Sequence, residues 1–205
     1  GLLVGLVLGF FIANSLNRNG VTTAPSVSTS TSDLPVTGNP NQPGALQDVA
    51  ETLQRAETEP ENFVAQMKAG DMYAQIGRFD KAIEFYSKGV ALNPQNAPAH
   101  IVLANAYFDT QKFEDAEKSY AMALEIDPKN VNARTDLGAT FVERSSPDYE
   151  RAILEFRRTL ETDPKSGPAL YYLAIAQFRK GDRTEAEKTM AELEKNDPQS
   201  ELVTR

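Results

Sequence analysis

Between residues 61 and 198 apolar and small residues recur at helical spacing, and proline interrupts the pattern at regular intervals. Pro60, Pro94, Pro128, Pro164 and Pro198 lie 34, 34, 36 and 34 residues apart. The last four follow Asn93, Asp127, Asp163 and Asp197. Proline has no N–H to donate and its ring clashes with the preceding turn, so each one ends a helix. Two residues further on stand Asn62, Asn96, Asn130, Ser166 and Ser200, side chains that accept from the free N–H groups of a new helix. A stop and a restart at a fixed period predict a solenoid, with units at 61–94, 95–128, 129–164 and 165–198.

Small and aromatic residues keep the same register. The first unit carries Gly70, Tyr73, Ala82 and Tyr86, and the second Ala104, Tyr107, Ala116 and Tyr120. The third has Gly138, Phe141, Ala152 and Phe156, and the fourth Ala174, Ala186 and Met190. Small residues let the two helices of a pair approach, the aromatics fill what remains, and stacked pairs make a continuous core. The pattern resembles the tetratricopeptide repeat, with its Leu-Gly/Ala pair, Tyr three residues on, then Ala, an aromatic and a closing Pro. That resemblance implies an all-α, right-handed α-solenoid of four helix pairs over 61–198. Gln66, His100, Arg134 and Leu170 stand where the family often has Trp, which predicts a loosely filled pocket. Gln177 replaces the Tyr of the last unit. The two extra residues of the third unit fall in Arg144-Ser145-Ser146-Pro147-Asp148, a turn that tolerates insertion.

The flanks differ from one another. Leu46, Val49, Ala50, Leu53 and Ala56 predict an amphipathic helix over 45–58 that caps the first repeat. After Pro198 only Gln199–Arg205 remain, too few for a capping helix. Ala186, Met190 and Leu193 are therefore expected to be partly uncovered, offering a surface to a partner or a second copy. Residues 17–44 are rich in Ser, Thr, Pro, Gly and Asn, with Arg18 and Asp33 as their only charges, and read as a disordered linker. As a coil its ends would lie about 30 Å apart.

Residues 2–13 are continuously apolar, short of the roughly 20 that a spanning helix needs. The chain begins with Gly rather than Met, so upstream residues are expected to complete a membrane anchor ending near residue 16. A signal-peptide core or a buried helix are the alternatives. Gly1, Gly5, Gly9 and Ala13 fall four apart, on one helix face, a spacing that permits close packing of two membrane helices and hence a homodimer. After Arg18 the next basic residue is Arg55, which favours an extracytoplasmic, periplasmic repeat domain.

A net charge of −8 and a pI near 4.8 argue against nucleic acid as a partner. There is no Cys, and the single histidine, His100, stands at a packing position. No phosphate loop, metal cluster or nucleophile–base set is legible, so a non-catalytic protein without cofactor or metal is expected. The family resemblance implies a binding groove along the first helices of the pairs. Positions matching it are Met67, Asp71, Ile101, Asn105 and Phe108, then Thr135, Tyr171, Ile175 and Phe178, with Val64, Ala74, Pro98, Asn132, Ala139 and Val142 beside them. The family's grip on a carboxyl-terminal peptide needs basic and amide groups where Met67, Asp71, Asn132 and Asp136 stand, so that ligand is not expected. An apolar and aromatic groove suits an extended or helical segment with apolar anchors. The chain thus reads as a membrane-tethered scaffold for a protein or peptide partner, similar to bacterial membrane-anchored repeat proteins, some of which serve envelope assembly. The alternative is a structural protein that self-associates through the glycine face and the uncapped end.

Overall fold

Three of the four first helices start where an asparagine closes the orphaned N–H groups. Asn62, Asn96 and Asn130 accept from the backbone N–H of Ala65, Ala99 and Ala133 at 3.1, 2.9 and 3.0 Å. Ser166, expected to do the same, makes no side-chain cap bond. Ser200 caps no helix and instead accepts from Leu202 N–H at 3.3 Å within a turn.

The computed structural model describes residues 45–203, all-α and without strands in that range. In chain order the helices are α1 (Ala45–Thr58), α2 (Phe63–Gln75), α3 (Phe79–Leu92), α4 (Ala97–Asp109) and α5 (Phe113–Ile126). They continue with α6 (Val131–Glu143), α7 (Tyr149–Thr162), α8 (Gly167–Lys180) and α9 (Arg183–Asn196). Residues 48–203 belong to one compact unit, in which α2 packs on α3, α4 on α5, α6 on α7 and α8 on α9, and each pair packs on the next. The anchor expected over 1–16, with Gly1, Gly5, Gly9 and Ala13, and the linker over 17–44 lie outside the described residues.

The turn inside each pair is closed by one recurring bond. Arg78 N–H donates to Tyr73 O, Lys112 N–H to Tyr107 O and Asp182 N–H to Gln177 O, at 2.8–2.9 Å. This is a Schellman closure, with Gly77, Gln111 and Gly181 at the left-handed position (φ 73°, 59° and 106°). In the third pair Asp148 N–H reaches Phe141 O at 2.9 Å, so the same two ends are joined around two additional residues. Arg144 and Arg151 lie over the Phe141 ring, and both ion-pair with Glu117 of α5, which holds the longer turn down.

Close approach of the helices explains the small residues. A Cβ on Gly70 would clash with the Cδ1–Cε1 edge of the Tyr86 ring, and one on Gly138 would lie 2.5 Å from Phe156 Cε1. Ala82, Ala104, Ala116 and Ala152 are fully buried, as are the side chains of Tyr120, Phe141 and Phe156. This is the core the pattern called for, assembled from one small and one large residue per contact.

Three expectations are corrected. The pocket often filled by Trp is not loose: Gln66, His100 and Leu170 are buried, Arg134 is half-buried, and the polar ones reach back to main-chain carbonyls. Gln66 Nε2–H donates to Ala56 O at 2.7 Å, His100 Nε2–H to Pro94 O at 3.0 Å, and Arg134 Nη2–H to Pro128 O at 2.7 Å. Leu170 fills the fourth copy by packing alone. The C-terminal end is likewise covered. Leu202 folds back on Leu170 and Leu193, leaving Leu193 wholly buried, because a single turn suffices to place one leucine where an open end was expected. Finally, Ala186 is buried, and of the three residues expected at an open end only Met190 keeps partial exposure. Gln177 takes the tyrosine position by accepting a bond from Thr189 Oγ1 at 2.8 Å, a buried polar pair in place of an aromatic contact.

Candidate functional site

The second helices cover one side of α2, α4, α6 and α8, and the opposite side of these first helices forms the candidate groove. The nine residues expected to line it divide into three sets. Ile101, Tyr171 and Ile175 are half-buried, and Phe178 is 59% exposed with the Arg183 guanidinium 5.6 Å from its ring centre. These four offer apolar surface. Tyr171 is held edge-on against Tyr172, with ring centres 5.5 Å apart. Met67 is half-buried and spends part of its side chain on Gly89 of α3, where a Cβ would clash with its sulfur.

Asp71 and Asn105 form the second set. Asp71 Oδ1 accepts from Tyr86 OH at 2.7 Å, and Asn105 Oδ1 accepts from Tyr120 OH at 2.6 Å. Both side chains are thereby fixed in orientation by the second helix of their own pair. Asp71 is exposed and Asn105 half-buried, so each still presents polar atoms to the groove.

Phe108 and Thr135 are corrections. Phe108 is 6% exposed and packs edge-on against Phe113, with ring centres 5.2 Å apart. Thr135 is 5% exposed, and its hydroxyl donates to Val131 O at 2.8 Å, the usual fate of a threonine turned into a helix. Both lie under the groove rather than in it, as do Ala139 and Val142. The repeat register places them on the right helix. How far a given first helix is rotated toward its partner decides whether the side chain is reached from outside.

Four charged residues outside the groove list lie on the same first helices. Asp109 ends α4, Asp136 and Glu143 lie on α6, and Arg179 on α8. Burial pushes the Asp136 carboxyl up to about 7, and the nearby Asp109 carboxylate acts in the same direction. Tyr172 is buried, and its hydroxyl is pushed well above its ordinary value, first by that burial and then by Asp136. Arg179 Nη1–H donates to Glu143 Oε1 at 3.3 Å, tying α8 to α6 across the groove floor. A signal for these residues exists in the sequence: Asp109, Glu143 and Arg179 follow one another at the 34- and 36-residue repeat intervals, as do Asp136 and Tyr172 at 36.

Residues 73–139 and 145–204 match one family description of the tetratricopeptide repeat, and residues 43–97 match a second. This chain is a tetratricopeptide-repeat protein. The second match takes in α1, which precedes Pro60 as the second helix of each pair precedes its own closing proline. Solved structures share the fold. A crystal structure of MamA is 23% identical with a TM-score of 0.68, covering 73% of this chain and 86% of that one. MamA from residue 41 onward, from Desulfovibrio magneticus RS-1, is 15% identical with a TM-score of 0.69, covering 76% and 87%. The second tetratricopeptide domain of human RPAP3, solved in complex with the HSP70 peptide SGPTIEEVD, is 25% identical with a TM-score of 0.52, covering 56% and 93%. No curated protein sequence matches the chain. Among the described residues no helix is long and apolar enough to cross a membrane, and no group of three or more His, Asp or Glu is placed to hold a metal ion. The fold is that of a protein-interaction scaffold.

Proposed function

We propose that this tetratricopeptide-repeat protein is a non-catalytic scaffold that holds a protein or peptide segment in the groove of α2, α4, α6 and α8. The apolar run over 2–13 tethers it to a membrane, with the repeats on the extracytoplasmic side, in the assembly of an envelope complex. The observation that carries the groove reading is the open apolar row of Ile101, Tyr171, Ile175 and Phe178 on first helices whose other side is covered. Phe178 is the most telling member, because a large aromatic 59% exposed beside partly open Ile175 and Tyr171 loses solvent contact only when something is laid over it. That the RPAP3 domain was solved in complex with a peptide supports a peptide segment as the kind of occupant. The tether rests on the uninterrupted apolar composition of 2–13 and the polar linker that follows.

The test is photo-crosslinking from native membranes with a photoreactive residue in place of Phe178. One dominant crosslinked protein, lost when Tyr171→Ala is added, is the expected outcome. Crosslinks that persist unchanged with Tyr171→Ala overturn the groove as the working surface, and recovery of the protein in the soluble fraction overturns the tether.

A further inference from the structure

Resting on the groove reading above, we infer that the bound segment is an amphipathic helix lying along α8, with an Asp or Glu at the end of its apolar face received by Arg183. The first helices are unequal as surfaces. On α2 the exposed Asp71 stands between Met67 and Ala74, and on α4 Asn105 stands between Ile101 and the buried Phe108, so a polar side chain breaks each row. On α6 Thr135, Ala139 and Val142 are all buried. Of the four first helices, α8 alone carries an unbroken open row: Pro168 and Phe178 are exposed, with half-buried Tyr171 and Ile175 between them. These four fall at i, i+3, i+7 and i+10, on one face of the helix over about 15 Å. A row that runs along one helix, instead of across several, fits a second helix whose apolar residues recur three and four apart.

The end of the row at Phe178 has its own chemistry. In the second repeat Phe108 is sealed by Phe113, edge-on at 5.2 Å, and is 6% exposed. Two repeats on, the same two positions hold Phe178 and Arg183, with the guanidinium 5.6 Å from the ring centre and the phenylalanine 59% exposed. The guanidinium covers less of its neighbour than a second ring does, and it brings five N–H donors. The charges around it are already matched. Arg179 pairs with Glu143 at 3.3 Å, Lys180 with Glu150 and Asp182 at 3.6 and 3.4 Å, and Glu185 with Lys188 at 2.7 Å. Among the described residues Arg183 has no carboxylate partner, Glu187 one turn along α9 included. An incoming carboxylate beside an apolar residue satisfies both halves of this end. The apolar residue covers Phe178, and the carboxylate meets the guanidinium in a two-pronged bond that strengthens as water leaves.

A phage-displayed library of random peptides of about 16 residues, long enough for four helical turns, is selected on the full chain and, in parallel, on Arg183→Gln. Thermal melts confirm that both are folded. The expected result is peptides whose apolar residues recur three and four apart, with Asp or Glu enriched at one end of that pattern for the native chain only. The best such peptide should bind about tenfold more weakly to Arg183→Gln. Changing its acid to the amide should cost the same against the native chain and nothing against the variant. Ile175→Ala should weaken binding as well, and Ile101→Ala should not. Apolar residues in strict alternation, no acidic enrichment or one that persists on Arg183→Gln, or equal losses with Ile101→Ala and Ile175→Ala overturn the inference, even where Phe178→Ala abolishes binding and the groove itself stands. Binding indifferent to Tyr171→Ala, Ile175→Ala and Phe178→Ala overturns the groove reading as well. A row filled by a second copy, seen as concentration-dependent sedimentation lost with Phe178→Ala, also overturns the inference.

Discussion

The Tyr120 hydroxyl donates to Asn105 Oδ1 at 2.6 Å, from the second helix of a pair to the groove side of the first. Tyr86 and Asp71 repeat the bond one unit earlier at 2.7 Å. In the third unit Phe156 and Ala139 hold those positions and the contact is purely apolar. The residue that closes the core is thus the one that orients the groove. Tyr120→Phe keeps the ring and removes the bond, and should cost about 1 kcal/mol in urea unfolding. Phe156→Tyr, which has no acceptor at Ala139, should not return a matching gain.

Helix propensity and packing oppose one another at Gly138. Alanine is the better helix former by about 1 kcal/mol, yet its Cβ would sit 2.5 Å from the wholly buried Phe156 ring. Overpacking of this kind costs about 1–3 kcal/mol, so packing wins. Gly138→Ala should lower the urea midpoint, and adding Phe156→Leu should recover part of the loss.

Gln111 occupies the left-handed position of its turn at φ 59°, where the first and fourth units have Gly77 and Gly181. A non-glycine residue pays roughly 1–2 kcal/mol there, against a smaller entropic gain in the unfolded chain. Gln111→Gly should therefore raise stability by about 0.5–1 kcal/mol, while Gln111→Ala should leave it nearly unchanged. Paired thermal melts distinguish the two.

Asp136 sets a pH dependence. Its folded value of about 7 lies above the roughly 3.9 of an unfolded aspartate, so the folded state binds the proton more tightly. Its stabilising contribution is complete below the unfolded value and is lost as pH rises through 7. Asp136→Asn should match the native chain near pH 4 and exceed its melting temperature at pH 8. An offset that is the same at both pH values would show that the carboxyl does not titrate in this range.

Helix boundaries were legible because they rest on local chemistry. Asn62, Asn96 and Asn130 cap, and the prolines stop, through contacts within a few residues of themselves. The small–large pairs such as Gly138 with Phe156 were legible too, since the repeat writes the same contact several times. Phe108 and Thr135 were misplaced for the complementary reason. Register names the helix face only to within part of a turn, and a side chain at the margin of that face becomes core or groove according to its neighbour's bulk. For Phe108 that neighbour is Phe113, the first residue of the following helix.

The ends of the solenoid show the same division. The heptapeptide after Pro198 contains no helical period, and nothing in it singles out Leu202, yet Leu202 seals Leu170 and Leu193. Contacts between repeats are of the same kind: Asp109 acts on Asp136 from a different repeat, and Glu143 meets Arg179 across 36 residues. The sequence by itself determined the all-α repeat, its period and its local caps, because those follow from interactions within one turn or one repeat. The tertiary structure alone decided which side chains the groove exposes, how its charges are grouped and what closes its end. These depend on the angle at which each helix pair meets the next, and no short-range pattern encodes that angle.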